Sequence, residues 1–280
     1  MQNTNTPRIS VVIPCYNEEA AIGACLDALA SQIPQPSEVI VVDNNCTDRT
    51  AEIAQSYSFV TVIQETEQGM TPARNAGMAA ASGDVLARID ADTIVQPGWI
   101  EALERIFSDP HIAAATGPVR YHDMPGQKAG EAADREVRAA LDAISRQSDF
   151  RFLFGTNMAV RRDVWKHIVN DLCNDDSLHE DIDIALHIHE RHGIIKYDRK
   201  MTAGMSARRL DDKPRDFYKY IMKFERTYDR HHVKSITARA PVVIYLATYF
   251  PFKLLRSVYD GENHKFTLKK LFKTAAEKNL

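Results

Sequence analysis

The sequence predicts an α/β fold with a mostly parallel, doubly wound sheet and a helical, basic extension at the C-terminus. From residue 8 to residue 92, apolar segments rich in β-branched residues alternate with amphipathic segments of helical period. Such alternation is typical of a parallel sheet that is covered by helices on both faces. Polar clusters follow the first, second and fourth apolar segments, where the crevice of a parallel sheet binds its ligands.

The first half of the chain supplies four predicted strands and the helices between them. The strands are 8–14, 37–45, 59–65 and 84–92. The helices are 17–32, 47–57 and 71–82. We expect acidic residues in the first turn of the first helix, and Thr47 or Asp48 as the cap of the second. Pro97 is expected to open a fourth helix that buries Trp99.

The pattern loosens after Asp109. We expect a strand over 111–121, a long polar-faced helix over 126–147, and a turn, strand and helix over 155–165. A helix over 177–193 is predicted to be capped by Ser177 and closed by Gly193, and a strand over 194–198 follows it. From Pro214 onward the chain is predicted to be mostly helical.

Charge divides the chain into an acidic body and a basic tail. The 280 residues carry a net charge of −3, but residues 208–280 hold 17 Lys and Arg against 8 Asp and Glu, a net +9. The other 207 residues hold 18 against 30, a net −12. We predict a domain over 1–207, in halves of about 8–110 and 111–207, and an extension over 208–280. The acidic body argues against a nucleic-acid partner.

Several features bear on where the protein works. The four cysteines show no CxxC spacing, which favours neither a zinc site nor disulfides and fits a reducing compartment. The N-terminus lacks an apolar signal region, and the apolar run 240–252 is shorter than the roughly 20 residues that span a bilayer. We therefore expect a cytoplasmic protein, in peripheral contact with the inner face of the cell membrane if its tail binds lipid.

The tail supports two interpretations. Residues 239–259 place aliphatic and aromatic side chains between Arg239, Lys253 and Arg256. Basic helices that carry aromatic residues can lie in a membrane interface. The alternative is a helical lid or a dimer contact, and the sequence does not separate the two.

Asp90 and Asp92 leave the fourth strand separated only by Ala91. Like charges placed so closely repel, so a positive partner is expected. Mg²⁺ or Mn²⁺ takes carboxylate and phosphate oxygens together, and would join this pair to the diphosphate of a nucleotide-sugar. An ordinary strand-ending turn is the alternative. The position of the pair at the end of a strand, beyond two other polar strand ends, favours the metal.

Five motifs carry a resemblance to a known family. They are VVIPCYNEEAAIGACLDAL, VIVVDNNCTDRTAEIA, QGMTPARNAGMAAASGDVLARIDADT, GTNMAVRRDVW and HEDIDIALHI. In order and spacing they resemble family 2 glycosyltransferases over about residues 8–200. The resemblance implies the GT-A fold, a nucleotide-diphosphate-sugar donor, a divalent metal and an inverting mechanism. The acceptor is then expected to be a glycan or a lipid-linked molecule.

The resemblance also implies roles for individual residues. The first half would hold the donor and the second the acceptor. The expected donor-site residues are Pro14, Tyr16 and Glu18 at the nucleotide, Asp43 at the base, Arg74 at the diphosphate and Asp90 at the ribose or sugar. Asp92, together with Asp90, would ligate the metal. Gly155, Thr156 and Asn157 form the acceptor-side turn, with Gly155 letting the backbone approach a ligand.

Asp181 matches the family's catalytic base, and the chemistry explains why a carboxylate is needed. Inversion requires the acceptor hydroxyl to attack opposite the leaving diphosphate, with a proton acceptor within hydrogen-bond reach. Adjacent residues diverge by roughly 100° around a helix, so Glu180 cannot share this task and is expected to position the acceptor.

Two segments depart from the family pattern. Asn44, Asn45 and Cys46 stand where a Ser-Thr-Asp motif often begins, which could alter base preference. Arg88 interrupts a strand that is usually more apolar, so one face of that strand is not expected to be sealed core.

Two rival functions remain open. A nucleotidyltransferase would share the wound sheet but should carry a Gly-rich basic loop after the first strand, where this chain has the acidic PCYNEE. A sugar-nucleotide-binding or scaffolding protein that has lost catalysis is the non-enzyme alternative. The presence of Asp90, Asp92 and Asp181 argues against it.

Overall fold

A computed structural model describes residues 6–125, 152–233, 236–260 and 265–267. The chain forms two compact units, one of Met1–Val119 with Phe150–Gly204, and the other of Arg120–Asp149 with Met205–Leu280. The domain division predicted at residues 207 and 208 remains a prediction. The helix predicted over 126–147 lies outside the described residues.

A seven-stranded sheet forms the centre of the first unit, in the order β3-β2-β1-β4-β8-β6-β9. Its strands are β1 (Ile9–Cys15), β2 (Glu38–Asp43), β3 (Val60–Gln64), β4 (Val85–Arg88), β6 (Ile112–Thr116), β8 (Met158–Arg161) and β9 (Ile194–Tyr197). The short strands β5 (Ile94–Val95) and β10 (Ala203–Met205) pair antiparallel outside this sheet, and β7 spans Val119–Tyr121.

Strand direction decides which segments meet. Strands β1 to β4 are mutually parallel, so the segments that follow them leave at one edge of the sheet. Strand β8 runs antiparallel to β4, with Met158 opposite Arg88. The turn that precedes β8 therefore lies beside the end of β4. The predicted mostly parallel α/β sheet is confirmed, with β8 as its antiparallel member.

Helices cover both faces of this sheet. The helices are α1 (Ile22–Ala30), α2 (Thr50–Gln55), α3 (Met70–Ala80), α4 (Trp99–Phe107), α5 (Arg162–Ile168) and α6 (Glu180–Glu190). Successive side chains of a strand point to opposite faces, so Val11 joins a core with α1 and α4, whereas Val12 joins a core with α3, α5 and α6. A Cβ at Gly77 of α3 would lie 2.3 Å from Val12 Cγ1, so this glycine lets the helix pack closely on the sheet.

Several predicted helix ends were wrong. Helix α1 begins at Ile22 and has no acidic residue in its first turn, because Glu18 and Glu19 lie in the loop before it. Helix α2 begins at Thr50, so its N-cap is Arg49 rather than the predicted Thr47 or Asp48. The Thr50 N–H nevertheless donates to Asp48 Oδ1 at 3.0 Å.

Helix α6 likewise differs from its prediction at both ends. It begins after His179 rather than after Ser177. At its C-terminal end the left-handed residue is His192, with φ 57°, rather than Gly193.

The second unit pairs two helices, α7 (Pro214–Arg230) and α8 (Ile236–Ser257). The rings of Phe217 and Tyr249 stack with centroids 4.2 Å apart, and the Tyr249 hydroxyl donates to Asp212 O at 2.7 Å. Arg256 pairs with Asp123 at 2.6 Å and with Asp211 at 2.9 Å.

Helix α8 exposes apolar side chains on one side, with Val243 67%, Phe250 65% and Leu254 67% exposed. Among the described residues, no helix combines the length and the apolar character needed to cross a bilayer.

Candidate active site

The loops after β1 and β2 bind each other. Thr47 N donates to Asn17 Oδ1 at 2.8 Å, and Glu18 N donates to Thr50 Oγ1 at 2.7 Å. Asp43 ends β2 half-buried and accepts the N–H of Cys46 at 2.8 Å. These bonds fix the two segments in which a nucleotide site was predicted.

The other predicted residues of this region differ in exposure. Pro14 is buried within β1, whereas Tyr16, directly after the strand, is 53% exposed. Tyr16 therefore presents an accessible aromatic ring at the edge where the parallel strands end. The side chain of Pro14 is buried, so Pro14 belongs to the strand and adds no accessible surface there.

Asn44 organises the next loop, a role that the sequence analysis missed. Its Nδ2 donates to the carbonyls of Glu65 and Glu67, and its Oδ1 accepts the N–H of Gly69 at 2.8 Å. Asn44, one of the residues that depart from the family pattern, thus fixes the loop between β3 and α3.

Asp90 and Asp92 leave the central strand β4 in a turn, in which Thr93 N donates to Asp90 O at 3.0 Å. The side chain of Asp90 is 30% exposed and Asp92 is buried. The expected positive partner of Asp90 is a residue of the chain itself, because Arg88 Nη2 lies 2.7 Å from Asp90 Oδ1. Arg88 also faces the site rather than the core, as its interruption of an apolar strand suggested.

The turn before β8 lies against this aspartate turn. The hydroxyls of Thr93 and Thr156 are 2.6 Å apart. A Cβ at Gly155 would lie 1.8 Å from Arg88 Nη1, so the close approach that requires this glycine is to a guanidinium of the same chain.

Asn157 lies differently from its predicted ligand-binding position. Its side chain is fully buried, accepts the indole N–H of Trp99 at 2.9 Å, and donates to Pro118 O at 3.2 Å and Met201 O at 2.8 Å. All of its polar atoms are thus used to join the turn to neighbouring segments. Asn157 supports the site without facing it.

Asp181 lies in the first turn of α6, directly beside the same turn. Its Oδ2 accepts the N–H of Gly155 at 2.9 Å, and its Oδ1 accepts the N–H of Ile182 at 2.8 Å. Burial, and secondly the negative charge of Glu180, raise the pKa of Asp181 to about 7. A carboxyl group with such a pKa is suited to accept a proton near neutral pH.

Glu180 is held by two arginines. Its Oε1 lies 3.1 Å from Arg88 Nη1, and its backbone carbonyl accepts from Arg74 Nη1 at 3.3 Å. Although burial disfavours the charged form, Arg88 and Arg74 hold the pKa of Glu180 below its usual value. The two neighbouring carboxyl groups thus have pKa values displaced in opposite directions, which is the pattern expected of a charged group beside a base.

Arg74 also lies differently from its prediction. Its side chain is fully buried, stacks at 5.5 Å over the ring of Trp165 and donates to Asn75 Oδ1 at 2.9 Å. Burial lowers its pKa to about 10. Because the guanidinium has no accessible surface, it supports α6 and does not face a diphosphate in this conformation.

The carboxylates of Asp90 and Asp92 are of the type that fits a divalent cation, and His179, Glu180 and Asp181 bring three further ligand atoms within 4.8 Å of one another. Carboxylate oxygens suit Mg²⁺ and Mn²⁺. Arg88 pairs with one oxygen of Asp90. The second oxygen of Asp90 and the carboxylate of Asp92 would be the ligands of a cation at this turn.

The glycosyl transferase family 2 model matches residues 10–169, more than half of the chain, so the protein belongs to that family. It is 34% identical to glycosyltransferase AglE of Haloferax volcanii over 166 residues, which are 56% of this chain and 54% of that protein. Two further relatives, EpsH and EpsJ of Bacillus subtilis, are matched over 31% and 29% of their length. The chain thus spans about half, or less, of these curated relatives.

Solved structures with the GT-A fold are similar in architecture. A mannosyltransferase of Pyrobaculum calidifontis, solved with GDP-Man and Mn²⁺, aligns with a TM-score of 0.61 at 19% identity, over 97% of this chain and 79% of that one. Glucosyl-3-phosphoglycerate synthase of Mycobacterium tuberculosis, solved with Mn²⁺, UDP and glucosyl-3-phosphoglycerate, aligns with a TM-score of 0.56 at 22% identity, over 82% of each chain. At these identities the likeness shows the fold.

Proposed function

We propose that this protein is an inverting, metal-assisted glycosyltransferase that moves a sugar from a nucleotide-diphosphate-sugar to an acceptor hydroxyl, with Asp181 as the general base. The observation that carries the proposal is the meeting of three segments at one edge of the sheet. Arg88 joins Asp90 to Glu180, and Gly155 N binds Asp181. The carboxylate of Asp90 is therefore linked through Arg88 to Glu180, the neighbour of the proposed base Asp181.

Each residue then has a defined task. The loops after β1 and β2 hold the nucleotide, with Tyr16 and Asp43 at its base. Asp92 and Asp90 would hold a divalent cation, which would supply Lewis-acid stabilisation of the departing diphosphate. Asp181 takes the proton of the attacking hydroxyl, and Glu180 orients the acceptor. Since the hydroxyl attacks opposite the leaving group, the anomeric configuration inverts.

The acceptor is proposed to be a glycan or a lipid-linked molecule. A relative that is 28% identical over 197 residues is named poly-beta-1,6-N-acetyl-D-glucosamine synthase of Staphylococcus aureus, and its name states a polysaccharide product. We also propose peripheral contact of α8 with a membrane. The exposed Val243, Phe250 and Leu254 would enter the interface, and the net +9 of residues 208–280 would attract anionic lipid.

Lys253 and Arg256 contribute little to that attraction, because both are engaged within the unit. Lys253 Nζ donates to Leu210 O at 3.0 Å, and Arg256 pairs with Asp123 and Asp211. A lid or a dimer contact remains the alternative role for the exposed face of α8.

A thermal-shift panel tests the proposed function. UDP, GDP, TDP and CDP are each added with and without Mn²⁺, and release of nucleoside diphosphate from the matching nucleotide-sugar is measured alongside. At 100 times its dissociation constant, a ligand stabilises the native state by about 2.7 kcal/mol. We expect one nucleotide to raise the melting temperature only with Mn²⁺, and Asp92→Ala to abolish that shift.

Asp163→Ala is the matched control, because Asp163 is an exposed aspartate of α5. A shift that ignores Mn²⁺ would contradict the role of Asp92. Nucleotide binding without turnover would favour the scaffolding alternative. Pyrophosphate release from a nucleoside triphosphate and a sugar phosphate would favour the nucleotidyltransferase.

A further inference from the structure

Arg88 is a buried cation at the end of a strand, and it contacts both halves of the candidate active site. Its side chain is only 3% exposed. Nη2 lies 2.7 Å from Asp90 Oδ1, and Nη1 lies 3.1 Å from Glu180 Oε1. One guanidinium thus pairs through separate nitrogens with Asp90, in the turn of the proposed metal site, and with Glu180 of α6.

The surrounding structure is shaped to admit this guanidinium. The Cβ that any other residue would place at position 155 would lie 1.8 Å from Nη1. The N–H of the same Gly155 donates to Asp181 Oδ2 at 2.9 Å. Displacing Arg88 would therefore disturb the turn that also binds the proposed base.

The chemistry of arginine explains why this position is specific. The planar guanidinium presents donors in a fixed fork, whereas the ammonium of lysine is one point charge on a flexible stem. Two carboxylates bound through two different nitrogens are held at a fixed separation. A lysine could neutralise the charge but could not hold both acids in this geometry.

We propose that Arg88 is a positioning residue that holds the carboxylates of Asp90 and Glu180 at a fixed separation. The donor side and the acceptor side of the active site then keep the distance that catalysis requires. This inference rests on the proposed function. Arg88 acts through the two carboxylates and touches neither substrate. Arg74 assists by binding the backbone carbonyl of Glu180.

The test compares Arg88→Met and Arg88→Lys with Arg161→Met as the matched control. Arg161 is also an arginine at a strand end, but it donates to the carbonyls of Phe107, Asp109 and Ile112. The probe is UDP-glucose or GDP-mannose with Mn²⁺, whichever nucleotide stabilises the wild-type protein, with water as the acceptor. The readouts are kcat and KM for nucleoside diphosphate release, and the thermal shift by UDP or GDP.

We expect Arg88→Met to lower kcat about 100-fold, the loss typical of misplaced catalytic groups. KM and the nucleotide shift should stay within about threefold of wild type, because Asp90 and Asp92 keep their carboxylates and only the separation between Asp90 and Glu180 changes. In Arg88→Lys, kcat should be less than about tenfold higher than in Arg88→Met, because lysine restores the positive charge but not the planar donor geometry of arginine. Arg161→Met should keep the wild-type kcat even where its melting temperature falls.

A double substitution tests whether Arg88 acts through Glu180. If it does, Arg88→Met combined with Glu180→Gln lowers kcat about as much as the more damaging single change, since residues in one network are not additive. Should Arg88→Met fail to fold, Arg88→Lys and Gly155→Ala carry the same test. Gly155→Ala is expected to displace the guanidinium and to reproduce the loss of kcat.

Two results would overturn the inference while leaving the proposed function in place. One is a wild-type kcat in Arg88→Lys, and the other is a loss confined to KM with additive effects in the double substitution. A wild-type protein that neither binds a nucleotide nor releases nucleoside diphosphate would instead overturn both proposals, whatever residue stands at position 88.

Discussion

The pH dependence of turnover tests the assignment of Asp181 directly. Burial and the neighbouring charge of Glu180 raise the pKa of Asp181 to about 7. A general base works only when it is ionised, so kcat/KM should rise about tenfold per pH unit below pH 7 and level off above it. The assay is nucleoside diphosphate release from pH 5 to pH 9 at a donor concentration well below KM.

The second cause of the shift can be removed by substitution. Glu180→Gln deletes the like charge beside Asp181 and also leaves Arg88 without one of its two carboxylates. Both changes favour the ionised form of Asp181. Neighbouring charges in a partly buried site typically shift a pKa by one unit or more. We therefore expect the inflection of the profile to move about one pH unit lower, while the plateau rate falls.

Asp181→Asn removes the proposed base, and it should lower kcat by about 10²- to 10⁴-fold and abolish the inflection near pH 7. Because both oxygens of Asp181 accept backbone N–H groups, the asparagine amide can accept from only one of them. The folded fraction of the variant is therefore measured by urea denaturation, with Asp163→Asn as the control. A flat profile in wild type, or an inflection that Glu180→Gln moves upward, would refute the reasoning.

Two further predictions concern stability and membrane contact. Asn157→Ala removes three side-chain hydrogen bonds and leaves the buried Trp99 N–H without its acceptor, so we expect a loss of about 3–5 kcal/mol in the free energy of unfolding. The exposed Asn170→Ala is the control, and a loss below about 1 kcal/mol would contradict that role. Combined serine substitutions of Val243, Phe250 and Leu254 should reduce co-sedimentation with phosphatidylglycerol vesicles at least about tenfold, while Ile33→Ser, an exposed isoleucine of the first unit, should not. Dimer loss in size-exclusion chromatography, without any vesicle binding by wild type, would identify α8 as a dimer contact instead.

The fold was predictable because its signals are local and repeated. The four apolar segments up to residue 92 became parallel strands, since burial on both faces demands such composition. Helix ends were less predictable, because tertiary contacts override capping preferences. The Glu18 N–H, for example, finds its acceptor in Thr50, 32 residues away, and this long-range bond has no counterpart in local sequence.

The acidic residues of the candidate site could be named from the sequence, whereas the residues that hold them in place were harder to recognise. Asp90, Asp92, Glu180 and Asp181 are recognised by their motifs, and the structure brings their segments together. Arg74 and Asn157 belong to equally clear motifs, yet their side chains are fully buried in the structure. A motif shows that a residue type matters at a position, but it does not separate a side chain that meets a ligand from one that holds its neighbour.

The sequence does give an indication of the supporting role of Arg88. A charged residue within an otherwise apolar strand costs free energy unless it is paired, so its presence requires partners. Two carboxylates, 2.7 and 3.1 Å from its nitrogens, are those partners, and a glycine provides the space. The same physical argument applies to the acids, since the carboxylates of Asp90 and Glu180 would repel each other without the guanidinium that lies between them. Burial and the charge of Glu180 raise the pKa of Asp181, whereas Arg88 and Arg74 hold the pKa of Glu180 below its usual value against the effect of burial. The two arginines thus favour the charged form of Glu180, and that charge in turn raises the pKa of the proposed base.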